Sequence, residues 1–318
     1  MIALNKTNRN YFMGIAIVLV ILHHFCLRLD GCWYVDTFPF TIFYWGQIGV
    51  DIFLFVSAYG CCASWENNSW WQYALHRIKR IYPQYIVFLF IVLLWFFADA
   101  SILHRLKMAV FSLMGIAPIY RLGVSIEWYI PSLLMMYFCV PLIYMGIKRA
   151  NRGGQLLLTV IAILSLPWLL ETPWIYYPFL ARIPVILCGI VAYINRKDLA
   201  FLAKVFAFLM LLGLTTRENM VIHSMMVPLF FVALSMIELG KLPLQNMFTF
   251  LGKHSLEIFF AQTITTQYMM KYYYWGEKWL SLAIIMGITI LLALLFWLVQ
   301  KGFDWLYTTV TIKIHKKA

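Results

Sequence analysis

Charge is what this sequence has least of. Only 12% of its 318 residues are Asp, Glu, Lys or Arg, and the acids number 13 against 25 cations. A soluble domain of this length carries about a quarter charged residues to cover its surface, so a large soluble domain is excluded. A signal-peptide cleavage site is also missing. The apolar run 12–22 is followed by His23, His24, Phe25 and Cys26 instead of small residues, so it reads as a retained first span. Six cysteines (Cys26, Cys32, Cys61, Cys62, Cys139 and Cys188) form no CxxC and no zinc-like spacing with histidine. They read as small buried hydrophobes, and no metal is expected. No internal repeat is visible, which removes the sequence mark of an inverted-repeat transporter.

What is present is apolar: 63% of the residues are hydrophobic and 18% aromatic. Runs long enough to approach the 20 or so residues of a membrane helix fall at 11–28, 40–63, 81–98, 126–147, 155–170, 179–195, 199–214, 221–239, 248–270 and 279–305. The expected fold is an all-α integral membrane protein, a bundle of about ten transmembrane helices forming one domain over 1–318. A further run, 106–119, is short and holds Gly115 and Pro118, as a re-entrant or interfacial piece would. With the N-terminus in the cytoplasm, Arg77, Lys79, Arg80, Lys148, Arg149, Arg152, Arg196 and Lys197 fall inside. Asp30, Asp36, Asp99, Glu171, Glu218 and Glu277 then fall outside. This is the positive-inside pattern, and it puts both termini in the cytoplasm. The net charge of +12 is then a membrane signature, with lipid as a partner and no nucleic acid.

Ionisable groups inside spans are costly and are therefore functional candidates. His23 and His24 end the first run, and His24 is about 20 Å from Tyr11 by helical rise. Neighbouring residues point about 100° apart, so one of the pair faces a given groove. Histidine is the natural base near neutral pH, while a structural hydrogen bond to a backbone carbonyl is the plainer reading. Asp51 lies four residues after Gln47, on the same helical face. It would fix a histidine tautomer, pair with a cation, or simply tie two helices together. Arg77 and Arg80 share a face in a basic turn before Pro83. Read as the start of the third span, that turn would suit phosphate, or lipid headgroups as a membrane anchor.

The order of these segments carries more than any one of them. The chain runs from Gly14-Ile15-Ala16 through His23-His24 to Gly49-Val50-Asp51-Ile52-Phe53, with Ser57-Ala58-Tyr59 behind it. Arg77-Ile78-Lys79-Arg80-Ile81-Tyr82-Pro83 follows, then Trp128-Tyr129-Ile130 with Tyr137 and Pro141. Leu251-Gly252-Lys253-His254-Ser255-Leu256-Glu257-Ile258-Phe259 comes last. From about residue 9 to 262 this series resembles the acyltransferase-3 family of polytopic membrane O-acyltransferases. The resemblance implies transfer of an acyl group, usually acetyl, from acetyl-coenzyme A to a sugar hydroxyl. The acceptor would be a cell-envelope glycan or its lipid-linked precursor, and the site a bacterial inner membrane. Acetyl-coenzyme A would be a co-substrate, with no permanently bound cofactor.

Residue by residue, His24 matches the family histidine and would be the base, with Asp51 orienting it. Arg77 and Arg80 would hold the coenzyme's phosphates, and Trp128, Tyr137 and Ser57 would line the substrate path. Direct attack by the acceptor and an acyl-histidine relay both fit. The departures are specific. The family arginine eleven positions before the histidine is Met13 here, with Arg9 one turn earlier. Gln262 stands at a late family histidine, and Leu133 and Leu134 replace a pair of acids. The length leaves no expected room for an appended esterase-like domain. The rival is a non-enzymatic glycan exporter whose buried His and Asp line a substrate or proton path.

Overall fold

The computed structural model describes residues 6–28, 45–116, 129–170, 180–215, 219–236, 244–269 and 278–315, and every element among them is helical. The helices are α1 (Lys6–Arg28), α2 (Ile48–Asn67), α3 (Trp70–Ile91), α4 (Ile102–Leu113), α5 (Tyr129–Arg149), α6 (Arg152–Leu170), α7 (Ile183–Ile194), α8 (Leu199–Thr215), α9 (Asn219–Ser235), α10 (Gln245–Lys253), α11 (Ser255–Gln262) and α12 (Lys278–His315). Among the described residues four helical stretches are long and apolar enough to cross a membrane: Trp45–Asn67, Trp70–Trp95, Tyr129–Arg149 and Ala283–Val310. Four shorter apolar helices accompany them.

Each of the ten apolar runs contains a helix, but two expectations are corrected. The run 248–270 is not one helix. It breaks at His254 into α10 and α11, and a π-helical stretch, Thr263–Met269, follows α11. The third span does not start at Pro83. Helix α3 begins at Trp70 and carries Pro83 inside it, so Arg77 and Arg80 lie mid-helix and no helix N-terminus adds to their charge. A proline lacks the N–H of the interior ladder; flanking aromatic and apolar packing at Tyr85 and Phe88 holds the helix through it. The short run 106–119 is represented by α4, twelve residues long.

Contacts sort the chain into two compact units, Met1–Ser69 with Val110–Lys253, and Trp70–Ala109 with His254–Ala318. In the first unit α2 is the central helix, packed by α1, α5, α7 and α9. Its buried residues run all the way round, from Ile52 and Phe53 to Leu54 and Phe55, as befits a helix without a solvent or lipid face. Small residues let the backbones meet, the usual means of membrane helix packing. A β-carbon on Gly49 would come 2.4 Å from the Ala16 carbonyl oxygen, and one on Gly252 would come 1.7 Å from that of Asn10. Gly14 meets the Phe248 carbonyl in the same way. The glycines in three of the quoted motifs are thus the crossing points of α1 with α2 and with α10. Phe231 of α9 closes the interior against Phe12, Phe55 and Tyr59.

In the second unit α3, α11 and α12 pack through Tyr85, Phe88, Phe260 and Phe296. Alongside them runs a polar chain. Gln84 Nε2 donates to Glu257 (3.4 Å) and Gln300 (3.3 Å), and Gln300 Nε2 donates to Asp304 (3.0 Å) and the Lys79 carbonyl (3.2 Å). Helix α12 is largely apolar yet only 11% of its most apolar window is buried, against 67% for the stretch containing α2. Its outer surface therefore suits lipid. At 38 residues it is about 57 Å long and outruns the hydrocarbon core.

Candidate active site

The first unit gathers polar groups at the end of α2 where that helix begins. The stripe of α1 that packs inward runs through Phe12, Ala16, Ile17 and Val20, and continued by one turn it reaches His23 and His24. Their rings are 5.8 Å apart and half-buried. Across from them is the turn Trp45-Gly46-Gln47 that leads into α2. Gly46 is pressed against α1: a β-carbon there would come 2.8 Å from His23 Cβ and 2.2 Å from the Leu19 carbonyl oxygen. Any larger residue at position 46 would push the two helices apart.

One turn into α2, Asp51 is almost wholly buried, at 1% exposure. Its Oδ1 is 3.0 Å from Nε of Arg182, itself 2% exposed, and accepts a hydrogen bond from Ser224 Oγ at 2.8 Å. Arg182 is the residue that caps the start of α7, with Pro184 just inside the helix, where proline's fixed φ favours a helix start. A buried carboxylate must be paired or hydrogen-bonded, and Asp51 is both. Of the alternatives the sequence leaves open for Asp51, the structure brings two: it pairs with the Arg182 cation, and the hydrogen bond from Ser224 ties α2 to α9.

Gln47 shares the Asp51 face, as the four-residue spacing requires, and both look at α9. Gln47 Nε2 lies 2.8 Å from His223 Nδ1 while Asp51 takes the next residue, Ser224. The His223 ring also packs on Trp45, with centroids 5.1 Å apart. Tyr129 of α5 sits against Phe53, two residues past Asp51 along α2 (6.1 Å). The result is a helix end carrying three half-buried imidazoles and a buried, neutralised Asp–Arg pair. Such a site can take a proton from a hydroxyl and donate a hydrogen bond to a developing negative charge.

In the second unit the Arg77 guanidinium lies 5.2 Å over the Tyr73 ring and is half-buried, while Arg80 is exposed one turn later. Between them, the Lys79 ammonium sits 3.4 Å over the Tyr307 ring. Two planar donors one turn apart offer bidentate geometry to phosphate.

The family model described as an acyltransferase domain, acyltransferase-3, matches residues 10–298. The chain belongs to the acyltransferase-3 family. It is a membrane acyltransferase by that membership and by its apolar helices. No curated protein and no solved structure matches it. The match runs through both compact units.

Seen against the acyltransferase-3 pattern, the expected site residues fare differently. His24 and Asp51 come to the same end of the first unit. Ser57 is half-buried on α2 and Tyr137 is buried on α5. Trp128 lies outside the described residues. Met13, at the family arginine position, is buried on the inward stripe, and Arg9 donates to Asn10 Oδ1 at 3.4 Å. Leu133 and Leu134 are buried apolar side chains. Gln262 is fully buried, donating to Thr263 at 3.0 Å and accepting from Thr266. Sequence reasoning missed Arg182, His223 and Ser224. His223 carried a usable signal, an ionisable residue inside the apolar run 221–239. Arg182 did not, because at the edge of a run it looks like an interfacial cation.

Proposed function

We propose that this acyltransferase moves an acyl group, acetyl in the first instance, from acyl-coenzyme A to a hydroxyl of a cell-envelope or exported glycan or its lipid-linked precursor, in the bacterial inner membrane. The observation that supports this best is the convergence of His24 with the buried Asp51–Arg182 pair at one end of the first unit, within a chain whose family domain spans residues 10–298. His24 is the base. The acceptor oxygen bonds to the thioester carbonyl carbon, the carbon–sulfur bond breaks, and the hydroxyl proton passes through His24 to the departing thiolate. Nothing is oxidised or reduced, and the coenzyme leaves as product rather than staying as a cofactor. Asp51 acts as a positioning residue: by holding Arg182 and Ser224 it fixes the starts of α7 and α9 around α2.

Arg77 and Arg80 are assigned to the coenzyme's phosphates by their chemistry. Ser57, Trp128 and Tyr137 are assigned to the path of the acceptor. The far ends of α2, α5 and α7 come together at Glu66, Lys148 and Arg196. With Arg149 and Lys197 close by in sequence, the cation bias marks this end as cytoplasmic. The test is direct. Purified protein should bind coenzyme A, membranes containing it should move labelled acetyl from acetyl-coenzyme A into glycan, and deletion of the gene should lower glycan O-acetylation. Protein that binds no coenzyme A and leaves glycan acetylation unchanged on deletion contradicts the reading.

A further inference from the structure

We propose that His223 is a second catalytic imidazole, whose Nε2–H donates a hydrogen bond to the acyl carbonyl oxygen as the acceptor hydroxyl attacks; this rests on the acyl-transfer reading above. Two histidine-bearing helices flank the same three-residue turn. Gly46 lies against His23 on α1, while Trp45 and Gln47 on either side of it hold His223 of α9. The imidazoles of α1 and of α9 therefore belong to one end of one packed unit, not to separate places.

Their hydrogen bonding divides the roles. The nitrogen of the Gln47 amide, a pure donor, is 2.8 Å from His223 Nδ1, so Nδ1 is the acceptor. A neutral imidazole holds a single ring proton, and the proposed role uses the tautomer that carries it on Nε2, with Gln47 donating to Nδ1. Asp51, the carboxylate on this face of α2, is already balanced by Arg182 and bonded to Ser224, and among the described residues no other carboxylate pairs with His223. With Nδ1 engaged and the ring face on Trp45, Nε2–H is the atom His223 has for a ligand. It cannot take a proton from the acceptor, because its basic nitrogen is occupied. It can stabilise the oxyanion, and base and donor are then separate imidazoles, the usual division where paired groups are held in different environments.

A bond that merely ties α2 to α9 predicts something different from a donor to the reacting oxygen, and substitutions separate the two. In the full-length protein in proteoliposomes, His223→Ala should lower kcat about 10²- to 10³-fold, the loss typical of one oxyanion donor, with KM for acetyl-coenzyme A within about twofold. His223→Gln, which keeps an N–H donor at similar reach, should recover at least tenfold of that loss. Wild-type kcat in His223→Ala overturns the assignment, as does a loss that follows the melting temperature with no recovery in His223→Gln. Wild-type protein that transfers no acetyl overturns the acyl-transfer reading itself, and this assignment with it.

Discussion

The two ends of α2 carry polar clusters built on opposite plans. At the N-terminal end one carboxylate, Asp51, is 1% exposed and is held by one cation and one hydroxyl. At the C-terminal end Glu66 is 26% exposed and accepts from Tyr144, Tyr193 and Lys148, with Arg196 at 3.8 Å. Asn195 donates to Gln155 next to it (2.7 Å), and a cavity of about 540 Å³ opens beside Trp65, Asn67 and Arg149. The first cluster is deep and sparse. The second is shallow, redundant and surrounded by cations. Depth raises the cost of every missing partner, whereas exposure and shared donors lower it. The contrast sets a buried, closely matched pair against a shallow cluster whose donors back one another up.

Substitutions should reproduce that order. The largest effect is expected from Arg182→Ala, which leaves Asp51 buried without its cation and should destabilise the protein by about 3–5 kcal/mol, read as a fall in detergent-solubilised melting temperature. Replacing both partners, Asp51→Leu with Arg182→Met, should restore much of the stability but not the activity. Next is Ser224→Ala. It removes one hydrogen bond to a charged, buried acceptor and should cost about 1.5–2 kcal/mol in the same melt. Glu66→Gln should cost no more than about 1 kcal/mol, because the amide oxygen still accepts from the tyrosines. An equal or greater loss there than at Ser224 would erase the distinction between the two ends.

The smallest effect belongs to Asp198, between α7 and α8. Its carboxylate accepts from the Phe201 N–H (3.0 Å) and pairs with Arg152 (2.9 Å). The Phe201 bond foremost, with Arg152, holds its pKa below the ordinary value. A lowered carboxylate pKa contributes stability that is fully present above the unfolded-state value, near 4, and is lost as pH falls through the lower folded value. Melting curves should therefore show Asp198→Asn slightly less stable at pH 7, with the difference closing below about pH 4. A difference that persists in acid would place its origin elsewhere.

Much of this was legible in the sequence, and the failures have physical causes. The apolar runs found the helices because membrane helices must satisfy their own backbone, which makes length and hydropathy nearly sufficient. They could not show the break at His254, since α10 and α11 are apolar on both sides of it. Pro83 misled because proline is commoner at helix starts than inside them, yet α3 runs through it. For the site, the spacing of Gln47 and Asp51 correctly put them on one face, and their order in the chain placed His24 in the same region. The partners on that face, Arg182, His223 and Ser224, come from helices more than 130 residues later in the sequence. Nothing periodic links them to Asp51; only tertiary packing does.

The role of His24 as the base of acyl transfer is tested by removing its imidazole. Wild-type and His24→Ala proteins, matched for melting temperature and reconstituted in proteoliposomes, are supplied with labelled acetyl-coenzyme A and membrane glycan, and the rate of acetyl transfer is compared. The expected loss is at least about 10²-fold, the scale of a general base. Transfer by His24→Ala at the wild-type rate would contradict it.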